Sequence, residues 1–387
     1  MRSSVVAYLP PEIIDEILRQ KRLSKSDLAS LCLVNKTWLK SARHSLYSSL
    51  DIVFDTFGLE EDAAEEENRD HGEGAADWTT YLTLSTSRLL TTLLSNPTLG
   101  RLTESLCLNA LEGGRGTPTE SVVLMRPTEA LANFAQLCPS VTTLEVQSKT
   151  WGLHLLRRVI NLRLANLEHV VLDVIVDEDW RVLQRLAKLR TITADDADLN
   201  PTRNPPDPLQ QSIVRYATRD CVFGTFDIAR AAFSQSIREL VLPVDAAVRS
   251  EVCKIRTLSS LTLVTSTSES FGHLEGFFAD LRESKSLRTF GVEGNYSRLI
   301  SDLLGGSLGN HFPVGLRRFN VGSSDVSADL ILSSIARREN GSRIEQVGVA
   351  EDCQPDTRSV CSADVRNIWL FAVRATLEAH GVELIWY

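Results

Sequence analysis

Seven cysteines (32, 107, 138, 221, 253, 353 and 361) and seven histidines (44, 71, 154, 169, 273, 311 and 380) are the side chains of this 387-residue chain best suited to hold a metal or attack an electrophile. Their spacing supports neither. No Cys-x-x-Cys pair occurs, the histidines fall at no metal-ligand interval, and Cys353 and Cys361 stand eight apart with no histidine nearby, so no metal site is expected. Gly113-Gly114-Arg115-Gly116-Thr117 is glycine-rich but lacks the Gly-Lys-Ser/Thr ending that would cradle a phosphate. The sequence calls for no cofactor and no catalytic role. The chemistry left to it is recognition: apolar and charged surfaces that other chains can bind.

Charge is divided unevenly. The whole chain carries a formal −9, which disfavours nucleic acid as a partner. Residues 1–50 hold eight Lys/Arg against four Asp/Glu, so a small basic head precedes an acidic body. No 18-residue apolar run occurs, so no membrane span is expected. The scattered, odd-numbered cysteines and the absence of a signal-peptide pattern point to a reducing compartment, cytoplasmic and/or nuclear.

The head reads as three short helices. Pro10 and Pro11 suit a first helical turn, where a missing N–H costs nothing, and Glu12 faces the positive end of the helix dipole. Leu9, Ile13, Ile14, Ile17 and Leu18 recur at helical spacing. Ser24-Lys25-Ser26-Asp27 is a capping box for a second helix, and Asn35 is a good N-cap for a third that carries Trp38, Leu39, Ala42 and Leu46. About 45 residues make a marginal domain. Its apolar residues exceed what a three-helix interior needs, so part of them should seek a partner.

The ordered series Leu9-Pro10-Pro11-Glu12-Ile13-Ile14, then Cys32-Leu33-Val34-Asn35-Lys36-Thr37-Trp38, resembles the F-box family over residues 7–50. The resemblance implies a module that binds the Skp-type adaptor of Skp–cullin–F-box ubiquitin ligases and, through it, a cullin. By matching positions it implies that Leu9, Pro10, Ile13, Leu28, Val34, Lys36, Trp38 and Leu39 face the adaptor. The family often closes with a Leu-Trp pair, where this chain has Leu46-Tyr47.

Beyond the head, residues 60–77 hold nine carboxylates and one arginine, a self-repelling block expected to be mobile. The body then repeats apolar-x-x-apolar-x-apolar. Clear copies centre on Leu144, Leu240, Leu261, Phe290, Phe319 and Val347, and weaker ones on Leu106, Val170 and Ile192. The centres 261, 290, 319 and 347 fall 29, 29 and 28 residues apart, the near-constant period of a solenoid. Helical stripes lie between them, at Leu131, Phe134 and Ala135 and at Leu274, Phe277, Phe278 and Leu281. The gap from Ile192 to Leu240 should hold one degenerate repeat, and the chain end at Ile385 a closing strand.

The expected fold is therefore α/β: a three-helix F-box-like module (1–50), a linker (51–100) containing the acidic segment, and an irregular solenoid resembling leucine-rich repeats (101–387). The expected role is that of a non-enzymatic substrate receptor with an unidentified protein target. Glu145, Arg238, Thr262, Arg288 and Arg318 are its candidate target contacts. The alternative is an interaction scaffold whose head no longer binds the adaptor.

Overall fold

The computed structural model describes residues 9–20, 23–55, 80–111, 123–125, 127–147, 164, 166–176, 183, 186–198, 213–218, 236–244, 247, 252, 255–264, 274–293, 313, 315–322, 344–349, 374–375, 377–379 and 381–386. The chain forms two compact units, one of residues 1–173 with 185–188 and one of 174–184 with 189–387.

The first unit opens with three helices, α1 (Pro11–Gln20), α2 (Lys25–Leu31) and α3 (Lys36–Ser48), and α3 runs directly into strand β1 (Ser49–Asp55). Strand β2 (Thr80–Leu82), helices α4 (Leu84–Ser95) and α5 (Pro97–Gly100), strands β3 (Ser105–Leu111) and β4 (Val123–Met125), helix α6 (Pro127–Leu137) and strands β5 (Thr143–Gln147) and β6 (His169–Val176) follow. Strands β1, β3, β5 and β6 pair in parallel, while β2 pairs antiparallel with both β1 and β4. The span read as a linker, 51–100, thus carries most of β1, β2 and two helices. The signal for β1 is the alternation Leu50, Ile52, Phe54, all buried. The acidic segment 60–77 lies outside the described residues.

The second unit stacks β7 (Thr191–Asp198), β8 (Arg215–Thr218), β9 (Glu239–Pro243), β10 (Ser260–Val264), β11 (Thr289–Glu293), β12 (Arg318–Gly322), β13 (Gln346–Val349) and β14 (Glu383–Trp386), each parallel to its sequence neighbour. Helix α7 (Leu274–Arg282) crosses between β10 and β11 and buries Phe277 and Leu281. Among the described residues the Ile192–Leu240 gap holds one strand, β8, with Ile213, Tyr216 and Thr218 at the three inward positions.

The repeat pattern works by burial. In Leu258-x-x-Leu261-x-Leu263 and Leu287-x-x-Phe290-x-Val292, all six apolar side chains are 2 % exposed or less. Each such chain stabilises by about 1.5–3 kcal/mol when taken from water. A lone strand cannot bury that face, which is why the units stack. The Phe290 and Phe319 rings stack with centroids 6.2 Å apart. From β7 to β13 the backbone makes the same step at each junction: one carbonyl accepts two N–H groups from the next repeat. Arg238 O accepts from Ser259 and Ser260 (2.8 and 2.9 Å), Ser259 O from Arg288 and Thr289, and Arg288 O from Arg317 and Arg318. This holds neighbouring strands in one register, so equivalent positions line up as columns.

Candidate docking surface

The head is built as its caps dictate. Pro10 O accepts from Ile13 N (3.1 Å) and Ile14 N (3.2 Å), starting α1. Ser24 N donates to Asp27 Oδ2 (3.1 Å), and Asp27 N donates to Ser24 Oγ (3.1 Å), completing the capping box of α2. The Ser24 hydroxyl also donates to Asp27 Oδ2 (2.7 Å), and that bond first, then the one from Ser24 N, holds the Asp27 carboxyl below its ordinary value of 3.8. Asn35 Oδ1 accepts from Thr37 N and Trp38 N, at 2.9 and 3.0 Å, and starts α3. The three helices close over Ile14, Leu18, Leu28 and Ala42, with Leu23, Leu31, Cys32, Trp38 and Leu46 packed against them.

What this core leaves outside matters more. Among the described residues the large apolar side chains left exposed are Leu9 (39 %), Ile13 (48 %), Leu33 (87 %), Val34 (58 %) and Leu94 (60 %). Four of those five belong to the head. Helical geometry separates Ile13 from Ile14: consecutive residues point about 100° apart, so one turns outward while the other is 1 % exposed. Leu33 and Val34 sit in the turn between α2 and α3, where no helix covers them.

The expected adaptor-facing set divides accordingly. Leu9, Pro10, Ile13, Val34 and Lys36 are exposed, and Trp38 and Leu39 are half-buried. Leu28 is 7 % exposed and belongs to the core, because the capping box turns it onto Ile14 and Ala42 rather than outward. Leu33 joins the exposed group, although it falls on no helical stripe.

The head is tied to the first repeat. Lys25 on α2 pairs with Asp51 on β1, His44 Nε2 lies 4.0 Å from Glu104 Oε1, and Glu104 N donates to Ser48 O (2.8 Å). Asp51 shares an outward column with Cys107 and Glu145. Burial and then the Glu145 and Asp51 carboxylates push the Cys107 thiol up to about 11, so it is a poor nucleophile.

The candidate target contacts fall in both units. Glu145 is half-buried in β5 of the first unit. In the second, Arg238 and Arg288 are exposed one residue ahead of β9 and β11, and Arg318 opens β12. Thr262 is only 8 % exposed, too covered to present a broad contact. Its column neighbours stand close, since a Cβ added at Gly291 would lie 2.7 Å from Thr262 Oγ1 and 3.3 Å from Asn320 Cβ.

Among the described residues no group of three His, Cys, Asp or Glu is placed to hold a metal ion, and no helix is long and apolar enough to cross a membrane. Gly305-Gly306-Ser307-Leu308-Gly309 has the Gly-x-Ser-x-Gly form of a nucleophile elbow, contrary to the expectation that the sequence holds none, and lies outside the described residues.

Residues 6–53 match a family model described as F-box-like. The chain carries an F-box-like domain at its N-terminus. F-box-like domains are protein-interaction modules, and the body that follows this one stacks parallel strands, one per repeat. Among solved structures, an internalin from Listeria monocytogenes is similar at 10 % identity with a TM-score of 0.30, over 68 % of this chain and 66 % of that one, just under two thirds of its length. No curated protein matches the chain. The repeat architecture rests on the strand pairing itself.

Proposed function

We propose that this protein is the substrate-recognition subunit of a Skp–cullin–F-box ubiquitin ligase. The F-box-like head holds the Skp-type adaptor, the adaptor brings a cullin, and the repeat body binds a target protein. The observation that carries this reading is the exposure of Leu9, Ile13, Leu33 and Val34 on a domain that matches the F-box-like model. Exposed apolar clusters on so small a domain are costly unless covered. The chain's role is proximity: it raises the target's effective concentration while other subunits transfer ubiquitin. It performs no catalytic step, and it works in the cytoplasm or nucleus, where such ligases act.

The test is co-expression with a Skp-type adaptor and size-exclusion chromatography. The expected result is a stable complex that Leu9→Ala with Pro10→Ala weakens. If the wild-type chain elutes alone while correctly folded, the ligase reading fails and the scaffold reading replaces it.

A further inference from the structure

Strand register lines up an arginine band on the second unit. Two positions matter in each repeat: the first residue of the strand and the one before it. Across β7 to β12 they read Arg190-Thr191, Val214-Arg215, Arg238-Glu239, Ser259-Ser260, Arg288-Thr289 and Arg317-Arg318. Six arginines stand against one glutamate, in a chain whose overall charge is −9. Five of the six arginines are exposed and Arg318 is half-buried. The equivalent positions of β3, β5 and β6 in the first unit, Glu104-Ser105, Thr142-Thr143 and Glu168-His169, hold no arginine or lysine and two glutamates. The band also ends sharply, at Glu345 beside β13 and Glu383 on β14.

Its internal pairings are weak. Arg215 Nε lies 3.3 Å from Glu239 Oε1, and Arg317 Nη1 lies 3.7 Å from Glu345 Oε2, between side chains 40 to 65 % exposed. Arg288 Nη1 donates to Gly315 O (3.0 Å), and Arg318 Nε to Asn320 Oδ1 (2.7 Å). Exposed pairs of this kind hold by at most about 1 kcal/mol, and a guanidinium has five N–H donors, more than any one of these bonds uses.

We propose that this band docks an extended, carboxylate-rich peptide segment of the target protein. The inference rests on the receptor reading and names the chemistry of its target. Strand spacing of about 4.8 Å spreads the arginines over roughly 24 Å, a length that about eight extended residues span. A phosphate site gathers several donors on one point, whereas these arginines are spread along the stack, one each at β7, β8, β9 and β11, none at β10 and two at β12, and so suit a row of separate carboxylates. Beside them run the small, covered residues Ala217, Val241, Thr262 and Gly291. They offer no aromatic ring on which a base could stack, which argues for a peptide over single-stranded nucleic acid.

The experiment uses the full chain and fluorescence anisotropy with a labelled Glu-Ser peptide, a matched Lys-Ser peptide, a phosphoserine peptide and a single-stranded RNA. The expected result is binding of the Glu-Ser peptide alone, weakening as salt rises. Arg238→Glu with Arg288→Glu should weaken it about tenfold or more, whereas Arg88→Glu with Arg101→Glu, exposed arginines of the first unit, should leave it unchanged. Thermal unfolding of each variant confirms that the fold is kept. Absence of Glu-Ser binding, equal binding of the Lys-Ser peptide, tighter binding of RNA or phosphopeptide, or equal loss in both variants overturns the proposal. Adaptor co-elution is measured on the same samples. If the adaptor binds and the peptide does not, the band inference falls and the ligase reading stands; if the peptide binds and the adaptor does not, the reverse holds.

Discussion

Two neighbouring isoleucines should behave as opposites. Ile13 is 48 % exposed and Ile14 is 1 % exposed. Full burial of an isoleucine is worth about 1.5–3 kcal/mol, so covering the exposed half of Ile13 with a partner yields about 0.7–1.5 kcal/mol. Ile13→Ala should therefore weaken adaptor binding roughly threefold to tenfold. It should change stability by under about 1 kcal/mol, since little packing is lost. Adding Val34→Ala, 58 % exposed in a separate turn, should bring the combined loss to about thirtyfold. Ile14→Ala empties a sealed site against Leu18, Leu28 and Ala42 and should cost about 2–5 kcal/mol of stability in the head. The assay pairs calorimetric titration of the adaptor with denaturant unfolding of the head followed by hydrogen exchange of its helices. An Ile13 variant that unfolds the head while leaving adaptor affinity intact, or an Ile14 variant with the reverse profile, would refute the reasoning.

Three further outcomes follow from the same geometry. The Asp27 carboxyl is depressed, so its contribution to the α2 cap is fully present above its ordinary value of 3.8 and is lost as pH falls through its lowered value; Asp27→Asn should flatten that acid limb in a pH series of head unfolding. Phe290→Ala removes a fully buried ring stacked on Phe319 and should cost about 3–5 kcal/mol in the second unit, read by denaturant unfolding. In alkylation at pH 8 with mass-spectrometric mapping, Cys32, half-buried, should react well before Cys107 and Cys138, whose thiols burial pushes up; faster reaction at Cys107 would contradict its placement.

Much of this was legible in the residues because the signals were periodic or local. Ser24 with Asp27 and Asn35 cap their helices through bonds that short-range chemistry alone dictates. The inward triplets, such as Leu287, Phe290 and Val292, mark strands because stacking leaves them no other place. The degenerate repeat in the 48-residue gap is confirmed at Tyr216, where an aromatic residue and Thr218 stand for the expected leucines. Less legible was anything that depends on which side of an element faces out. Leu28 obeys the F-box pattern yet is sealed by Ile14 and Ala42. Leu33 is exposed because it falls in a turn, which helical periodicity does not address. Thr262 alternates correctly for an outward residue but is covered by its own column. The arginine band was visible only in fragments, as Arg238, Arg288 and Arg318, because its members are 20 to 50 residues apart in places and only the parallel register aligns them.

Hydrogen exchange of the intact chain with and without a Skp-type adaptor tests the central claim most directly. The account predicts added protection in peptides covering residues 9–18 and 31–39, with the strand amides of β3 and β5 unchanged. Protection confined to the repeat body, or none at all under saturating adaptor, would contradict it.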